Sequence, residues 1–199
     1  MQSTLLVLVG GPTASGKSYI ARKLVSRIAS TFLVDKDTAT GDLVNALLVA
    51  KGEDSRQRDT PLFWREVRPL EYSTMMALVK ENLELGKSVV AAAPFIYELS
   101  DQRWLDQLAS SIPSSIQVWR VWVDADEATM KERMFNRRAA YDGSKIADWS
   151  TWAEKLRGFP KPVKGQRFIS IRNSLSDAAT LTEQIDSIAE MLSNNAGMN

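Results

Sequence analysis

Residues Gly11-Pro12-Thr13-Ala14-Ser15-Gly16-Lys17-Ser18 fit the pattern G-x-x-x-x-G-K-[ST] without a mismatch. No other stretch constrains the chain so strongly. A loop of this kind wraps backbone amides round phosphate, and glycines are needed where a Cβ would block the approach. It also demands its flanks. A buried strand must lead into it, and a helix must leave it so that the helix N-terminus adds further amides and a positive dipole end. Both flanks are present. Leu5–Val9 is a short, almost purely apolar run, and Ile20, Leu24, Val25 and Ile28 recur on one face of a helix. Gly11 to Ser18, with Tyr19 beginning the helix, are therefore the expected nucleotide-binding positions. Lys17 is placed to reach the β- and γ-phosphates of a nucleoside triphosphate such as ATP, and the Ser18 hydroxyl to ligate Mg2+.

The rest of the chain repeats the strand–helix rhythm. Thr31–Val34, Ser88–Ala92, Gln117–Val123 and Phe168–Arg172 read as further strands, most of them β-rich and bounded by turn or polar residues. Helical periodicity fills the gaps between them. Thr60-Pro61 resembles a cap followed by proline at the first helical position, and Pro69 is expected to break that segment before a helix restarts towards Gly86. Ser100 or Asp101 caps a short helix, Asp124 or Asp126 opens the one that carries Arg133 and Arg137, and Ser176 starts the last. Residues 194–199 read as a frayed tail. Alternation of this kind implies an α/β fold with a mostly parallel sheet. Ala139–Gly165 is polar, holds Trp149 and Trp152, and interrupts the rhythm; it is expected to be a lid or insert on a single domain, around 137–165.

Composition narrows the chemistry. The 199 residues include no cysteine and no histidine, so thiolate or imidazole metal sites, cysteine nucleophiles and Ser-His-Asp mechanisms are excluded. Acid–base work falls to carboxylates, lysines, tyrosines or water. A net charge of +1 provides no global field towards nucleic acid or membrane. The apolar N-terminus lacks a basic leader and runs straight into the glycine loop, and no apolar run nears the ~20 residues of a membrane span. A cytoplasmic location is the expectation.

Three groups extend the site. Val34-Asp35-Lys36-Asp37-Thr38 puts two carboxylates at the carboxyl end of the second strand, where ligands bind in parallel sheets. One can take a proton from an attacking hydroxyl, and the other can help hold Mg2+. The alternative is that they are loop or N-cap aspartates. Arg133 and Arg137 share a helical face, with Arg138 beside them, suited to charge on a transferring phosphoryl group; a solvated helix end reads the same way. Arg65 and Arg68 would face one way on a helix, to receive an acceptor or to pair with Glu66 or Glu71. The six tryptophans can line a sugar-stacking pocket, although such residues more often fill cores.

On Leu8-Val9-Gly10 through Ser18, Phe32 to Asp37, the strand Ser88–Ala92 and the Arg133 to Arg138 helix, the chain resembles the P-loop kinases of the nucleoside-monophosphate-kinase-like group. It is most similar to the branch of gluconate kinases, chloramphenicol phosphotransferase, zeta toxins and polynucleotide 5′-kinases. The resemblance implies a three-layer P-loop NTPase fold, strand order 2-3-1-4-5, helices on both faces and a small lid. It implies ATP and Mg2+ as cofactors, Asp37 as general base, the lid arginines Arg133, Arg137 or Arg138 on the phosphates, and adenine near Arg172 and Asn173. Lys17, Asp37, Arg133 and Arg137 become the expected catalytic set, Asp35, Asp37, Arg65 and Arg68 the acceptor-binding set, and Ser18 and Asp35 the metal ligands. Two departures stand out. Where many relatives end the third strand with an aspartate, this chain has Ala91-Ala92-Ala93-Pro94-Phe95, and it lacks the histidine of the gluconate-kinase motif. The expectation is an ATP-dependent phosphotransferase with a small-molecule hydroxyl acceptor. A nucleotide-binding module or switch without an acceptor, and a nucleic-acid end kinase or nucleotide-sugar kinase toxin, are the alternatives.

Overall fold

The computed structural model describes residues 4–137 and 139–196. Strands and helices alternate through them as β1 (Leu5–Gly10), α1 (Lys17–Val25), β2 (Thr31–Asp35), α2 (Lys36–Ala50), α3 (Arg68–Glu84), β3 (Ser88–Ala92) and α4 (Gln102–Ser110). Then come β4 (Gln117–Asp124), α5 (Glu127–Arg137), α6 (Gly143–Ala147), α7 (Trp149–Arg157), β5 (Phe168–Arg172) and α8 (Ala178–Ala196). The strands form one sheet in the order β2-β3-β1-β4-β5, and every neighbouring pair is parallel.

The apolar run of β1 explains its central place. Leu5, Val7 and Val9 point to the face covered by α1 and α8, where Ile20, Leu24, Ile185 and Leu192 meet them. Leu6 and Leu8 point to the face covered by α3 and α4, against Met75, Val79 and Leu108. A strand buried on both faces gains nothing from polar alternation. Leu8 has no exposed surface, so truncating it to alanine is expected to cost about 2–5 kcal/mol. β4 alternates for a structural reason. Trp119, Val121 and Val123 enter the first layer. Arg120 instead donates to the carbonyls of Val163 (2.9 Å) and Gln166 (3.1 Å), tying the chain beyond α7 to the sheet.

Three local expectations need correction. Pro69 does not break its helix. A π-helical turn over Phe63–Val67 leads directly into α3, with the Arg68 N–H reaching back to Phe63 O, so the widened turn meets the ring and the missing donor without interrupting the element. The last helix is capped earlier than Ser176. Ser174 and Asp177 form a reciprocal capping box, and a 3₁₀ turn at Leu175–Asp177 runs into α8. The expected frayed tail is helical to Ala196, and residues 197–199 lie outside the described set. The two open choices resolve: Asp101 caps α4 by accepting from Arg103 N, and Asp126 caps α5 by accepting from Thr129 N.

Part of the polar stretch after α5 is helical, as α6 and α7, and residues 158–167 are not. Trp152 and Leu156 of α7 pack on Met130 and Met134 of α5 and on Ala14 of the glycine loop. Among the described residues, no helix is long and apolar enough to cross a membrane.

Candidate active site

The glycine loop joins β1 to α1 at the carboxyl edge of the sheet, and two of its glycines are sterically required. At Gly11 (φ +147°) an added Cβ would lie 2.3 Å from Val123 O, and at Gly16 (φ +97°) 2.1 Å from Asn173 Nδ2. The loop is braced from outside. Its Gly11 N–H donates to Pro94 O at 3.0 Å. Asn173, buried just past β5, donates from Nδ2 to Ser15 O at 2.7 Å. Arg133 donates to Ser15 O (3.1 Å), to Ala14 O (3.4 Å) and to Asn173 Oδ1 (3.2 Å). A cleft of about 1320 Å³, counting its open mouth, lies over this loop, with Lys17, Tyr19, Arg133 and Leu175 among its walls.

Lys17 Nζ donates to Pro12 O at 2.8 Å. Loss of solvent lowers its ammonium to about 8, against the pull of Asp37 and Asp35 and with a push from Arg137 and Lys36. The Ser18 hydroxyl donates to Asp35 Oδ2 at 2.6 Å. Asp35 also caps α2, accepting at Oδ1 from Asp37 N (3.0 Å) and Thr38 N (3.3 Å). In the sheet register Asp35 stands opposite Ala92. The carboxylate missing from the end of β3 is thus present one strand away. A hydroxyl and a carboxylate in contact are a donor set that fits Mg2+, which takes few protein oxygens and completes its shell with phosphate and water. Among the described residues, no cluster of three or more acidic, histidine or cysteine side chains forms a fuller cage.

Two residues beyond Asp35, Asp37 sits over a second cleft, of about 810 Å³ with its mouth included. The two clefts share Thr13, Asp37, Pro94 and Tyr141, so Asp37 lies at their seam. Burial pushes the Asp37 carboxyl up, but Lys36, Arg58 and Lys17 outweigh it and hold it below the usual carboxylate range. Lys36 Nζ bridges Asp37 Oδ1 (2.8 Å) and the buried Glu71 Oε1 (2.7 Å). Arg58 completes the cluster, 3.6 Å from Asp37 and 3.7 Å from Glu71.

The arginines separate. Arg137 donates from Nη2 to Thr13 Oγ1 (3.1 Å) and from Nε to the buried Asp142 Oδ2 (2.6 Å), which sets its guanidinium over the tip of the loop. Arg133 braces the loop from the side. Arg138 lies outside the described residues. Arg65 and Arg68 do not share a face. Arg68 lines the second cleft, paired with Glu98 at 2.6 Å and stacked 4.1 Å over Tyr72. Arg65 is exposed and, among the described residues, forms an ion pair with Glu66 alone, at 3.4 Å. Arg172 is likewise exposed and pairs with Asp177 at 3.3 Å. Sequence reasoning missed Lys36, Arg58 and Glu71 as a unit, and missed Leu175, an exposed apolar residue at the nucleotide-side cleft. A lysine between two aspartates was a readable signal; Arg58, in a stretch without periodicity, offered none.

A parallel 2-3-1-4-5 sheet with this glycine loop at its carboxyl edge defines a P-loop kinase-like protein. The chain belongs to the AAA domain family, whose model matches residues 6–162. Solved structures share its fold along nearly its whole length. A candidate kinase from Chloroflexus aurantiacus is 18% identical with a TM-score of 0.68, covering 98% of this chain and 99% of its own. A sugar kinase from Janibacter sp., solved without ligand, is 18% identical with a TM-score of 0.63, covering 97% and 96%. The tunicamycin resistance protein of Deinococcus radiodurans is 18% identical with a TM-score of 0.51, covering 100% and 98%. No curated protein matches the sequence.

Proposed function

We propose that the protein is an ATP-dependent phosphotransferase that moves the γ-phosphate to a hydroxyl of a small molecule. The observation that carries the reading is the position of Asp37 at the seam of two clefts, one over the glycine loop and one beyond it. A base that must meet both an acceptor hydroxyl and a terminal phosphate belongs there.

In this reading the loop amides and Lys17 hold the triphosphate, and Ser18 and Asp35 hold Mg2+. Magnesium, when bound, neutralises charge on the β- and γ-phosphates. The acceptor hydroxyl gives its proton to Asp37, its oxygen forms the new bond to the γ-phosphorus, and the bond to the departing ADP breaks. Lys36 and Arg58 keep Asp37 ionised and aimed. Arg137, held by Asp142, presents its fork to the transferring group. Arg133 and Asn173 keep the loop amides in place. Residues 137–165 act as a lid, since α7 reaches both the loop and the second cleft. A sugar kinase shares this fold, so the scaffold accommodates such chemistry. A cytoplasmic location, where ATP is abundant, goes with it.

A second reading, a nucleotide-dependent switch without an acceptor, draws on Ala92 at the place of a β3 carboxylate. A screen for acceptor-stimulated ADP release separates the two. Phosphotransfer predicts release that rises with an added hydroxyl compound and vanishes in Lys17→Ala; a switch predicts release indifferent to every acceptor.

A further inference from the structure

We infer that the acceptor is an uncharged, ring-shaped polyhydroxyl compound, a free sugar, glycoside or cyclitol, without phosphate or carboxylate. The inference rests on the phosphotransfer reading and on the second cleft.

The cleft wall is an unbroken aromatic arc. Phe63 meets Trp64 at 6.1 Å between ring centroids, Trp64 meets Tyr97 at 5.8 Å, Tyr97 meets Phe159 at 6.5 Å and Phe159 meets Trp152 at 6.2 Å, all edge to face. The arc starts in the turn before α3 and ends on α7. Its alternating ring faces and edges form an apolar lining on which the C–H groups of a saturated ring can pack, with the ring's hydroxyls projecting from it.

The charges of the wall are already paired with one another. The wall holds Lys36, Arg58, Arg68, Lys145 and Lys155. Each already faces a carboxylate: Lys36 on Glu71 at 2.7 Å, Arg58 on Asp37 at 3.6 Å, Arg68 on Glu98 at 2.6 Å, Lys145 and Lys155 on Asp59 at 3.7 and 3.0 Å. Among the described residues, no cation of the wall is free to receive a phosphate or carboxylate. An anion seated deep in the cleft would have to draw Lys36 off the buried Glu71 or Arg68 off the buried Glu98. With Glu98 counted, these five cations face four carboxylates, and each carboxylate already has a cation, so the wall offers an ammonium ligand no open counter-charge either. A hydroxyl meets neither penalty. It also supplies a donor to Glu71, a buried wall residue whose Oε2 has no hydrogen-bond partner among the described residues.

The test is a tryptophan-fluorescence titration of the full chain carrying magnesium and a non-hydrolysable ATP analogue. The probes are hexopyranoses, methyl glycosides and inositols, each beside its phosphate monoester or uronate, and the same compounds are then assayed for ADP release with ATP. At least one neutral compound is expected to saturate the signal, with its charged counterpart at least about tenfold weaker, the cost of one broken ion pair. Tyr97→Ala, at an exposed ring, is expected to weaken that neutral compound about tenfold through lost stacking. The inference is overturned if a phosphorylated or carboxylated compound binds as tightly as its neutral counterpart, or if no neutral compound binds. A neutral compound that binds without being phosphorylated sinks the phosphotransfer reading and leaves the ligand class standing. A charged compound that is phosphorylated does the reverse.

Discussion

Ser18 and Asp35 are joined by a 2.6 Å hydrogen bond at the head of the nucleotide-side cleft, and Asp35 stands in register opposite Ala92. The third strand ends in alanine, yet a carboxylate reaches the loop serine from the second. Asp35→Asn keeps a side-chain oxygen to cap α2, so its melting temperature should hold. The magnesium concentration for half-maximal ADP release should rise about tenfold or more. An unchanged magnesium requirement would remove Asp35 from the metal site.

Lys17 predicts how nucleotide affinity depends on pH. Its ammonium sits at about 8 in the free protein, and a triphosphate favours the charged form and raises it. Just below pH 8, and above the γ-phosphate's own titration at about pH 6–7, the lysine is largely charged and affinity should change little. Above pH 8 each binding event must take up a proton, so affinity should fall by up to about tenfold per unit. Calorimetry with metal-free ATP in buffers of different ionisation enthalpy measures this directly. Proton uptake that grows between about pH 7.5 and 9.5, above the range in which the γ-phosphate itself titrates, is the expected pattern; uptake that stays flat, or net release, over that range would contradict it.

Asn173 is expected to act through the loop. Asn173→Ala removes the 2.7 Å bond to Ser15 O, but Arg133 still donates to that carbonyl. The stability loss in urea denaturation should therefore fall near the low end of the range for an orphaned buried acceptor, about 1 kcal/mol. Gly16→Ala should be worse, because its Cβ would collide with Asn173 and its φ is unfavourable for alanine. Equal effects from the two substitutions would argue against the brace.

For Arg137, the conservative change is informative. Its guanidinium spans Asp142 and Thr13, which a lysine cannot do. Arg137→Lys should lower kcat on the order of a hundredfold, as for loss of a donor to transition-state charge, with nucleotide Kd changed only a few-fold. A raised Kd with kcat intact would make Arg137 a binding residue only.

The scaffold was legible because its signals are local. A glycine loop between an apolar run and an amphipathic helix specifies β1, the loop and α1, and each remaining strand lies within one residue of its apolar run. What escaped depends on distant partners. Asn173 was expected near the adenine, but its hold on a carbonyl 158 positions away could not be read. Arg58 becomes part of the site only when α2 and α3 bring Asp37 and Glu71 beside it. Pro69 misled because a proline alone signals a break; the π turn that absorbs it follows from packing of Phe63 and Val67 on Val44 and Leu48. Arg65 and Arg68 were separated by contacts that their spacing does not encode: Glu66 holds one at the surface, and Glu98 with Tyr72 draws the other inward.

The most direct test follows the γ-phosphate itself. Phosphorus NMR of ATP with the protein, magnesium and a neutral sugar or cyclitol that binds should show a growing phosphomonoester signal matched by ADP. Asp37→Asn should slow that growth by at least about a hundredfold, with ATP affinity within a few-fold. If the only new signal is inorganic phosphate, at a rate indifferent to the added compound and to Asp37, the protein is not a phosphotransferase and the account fails.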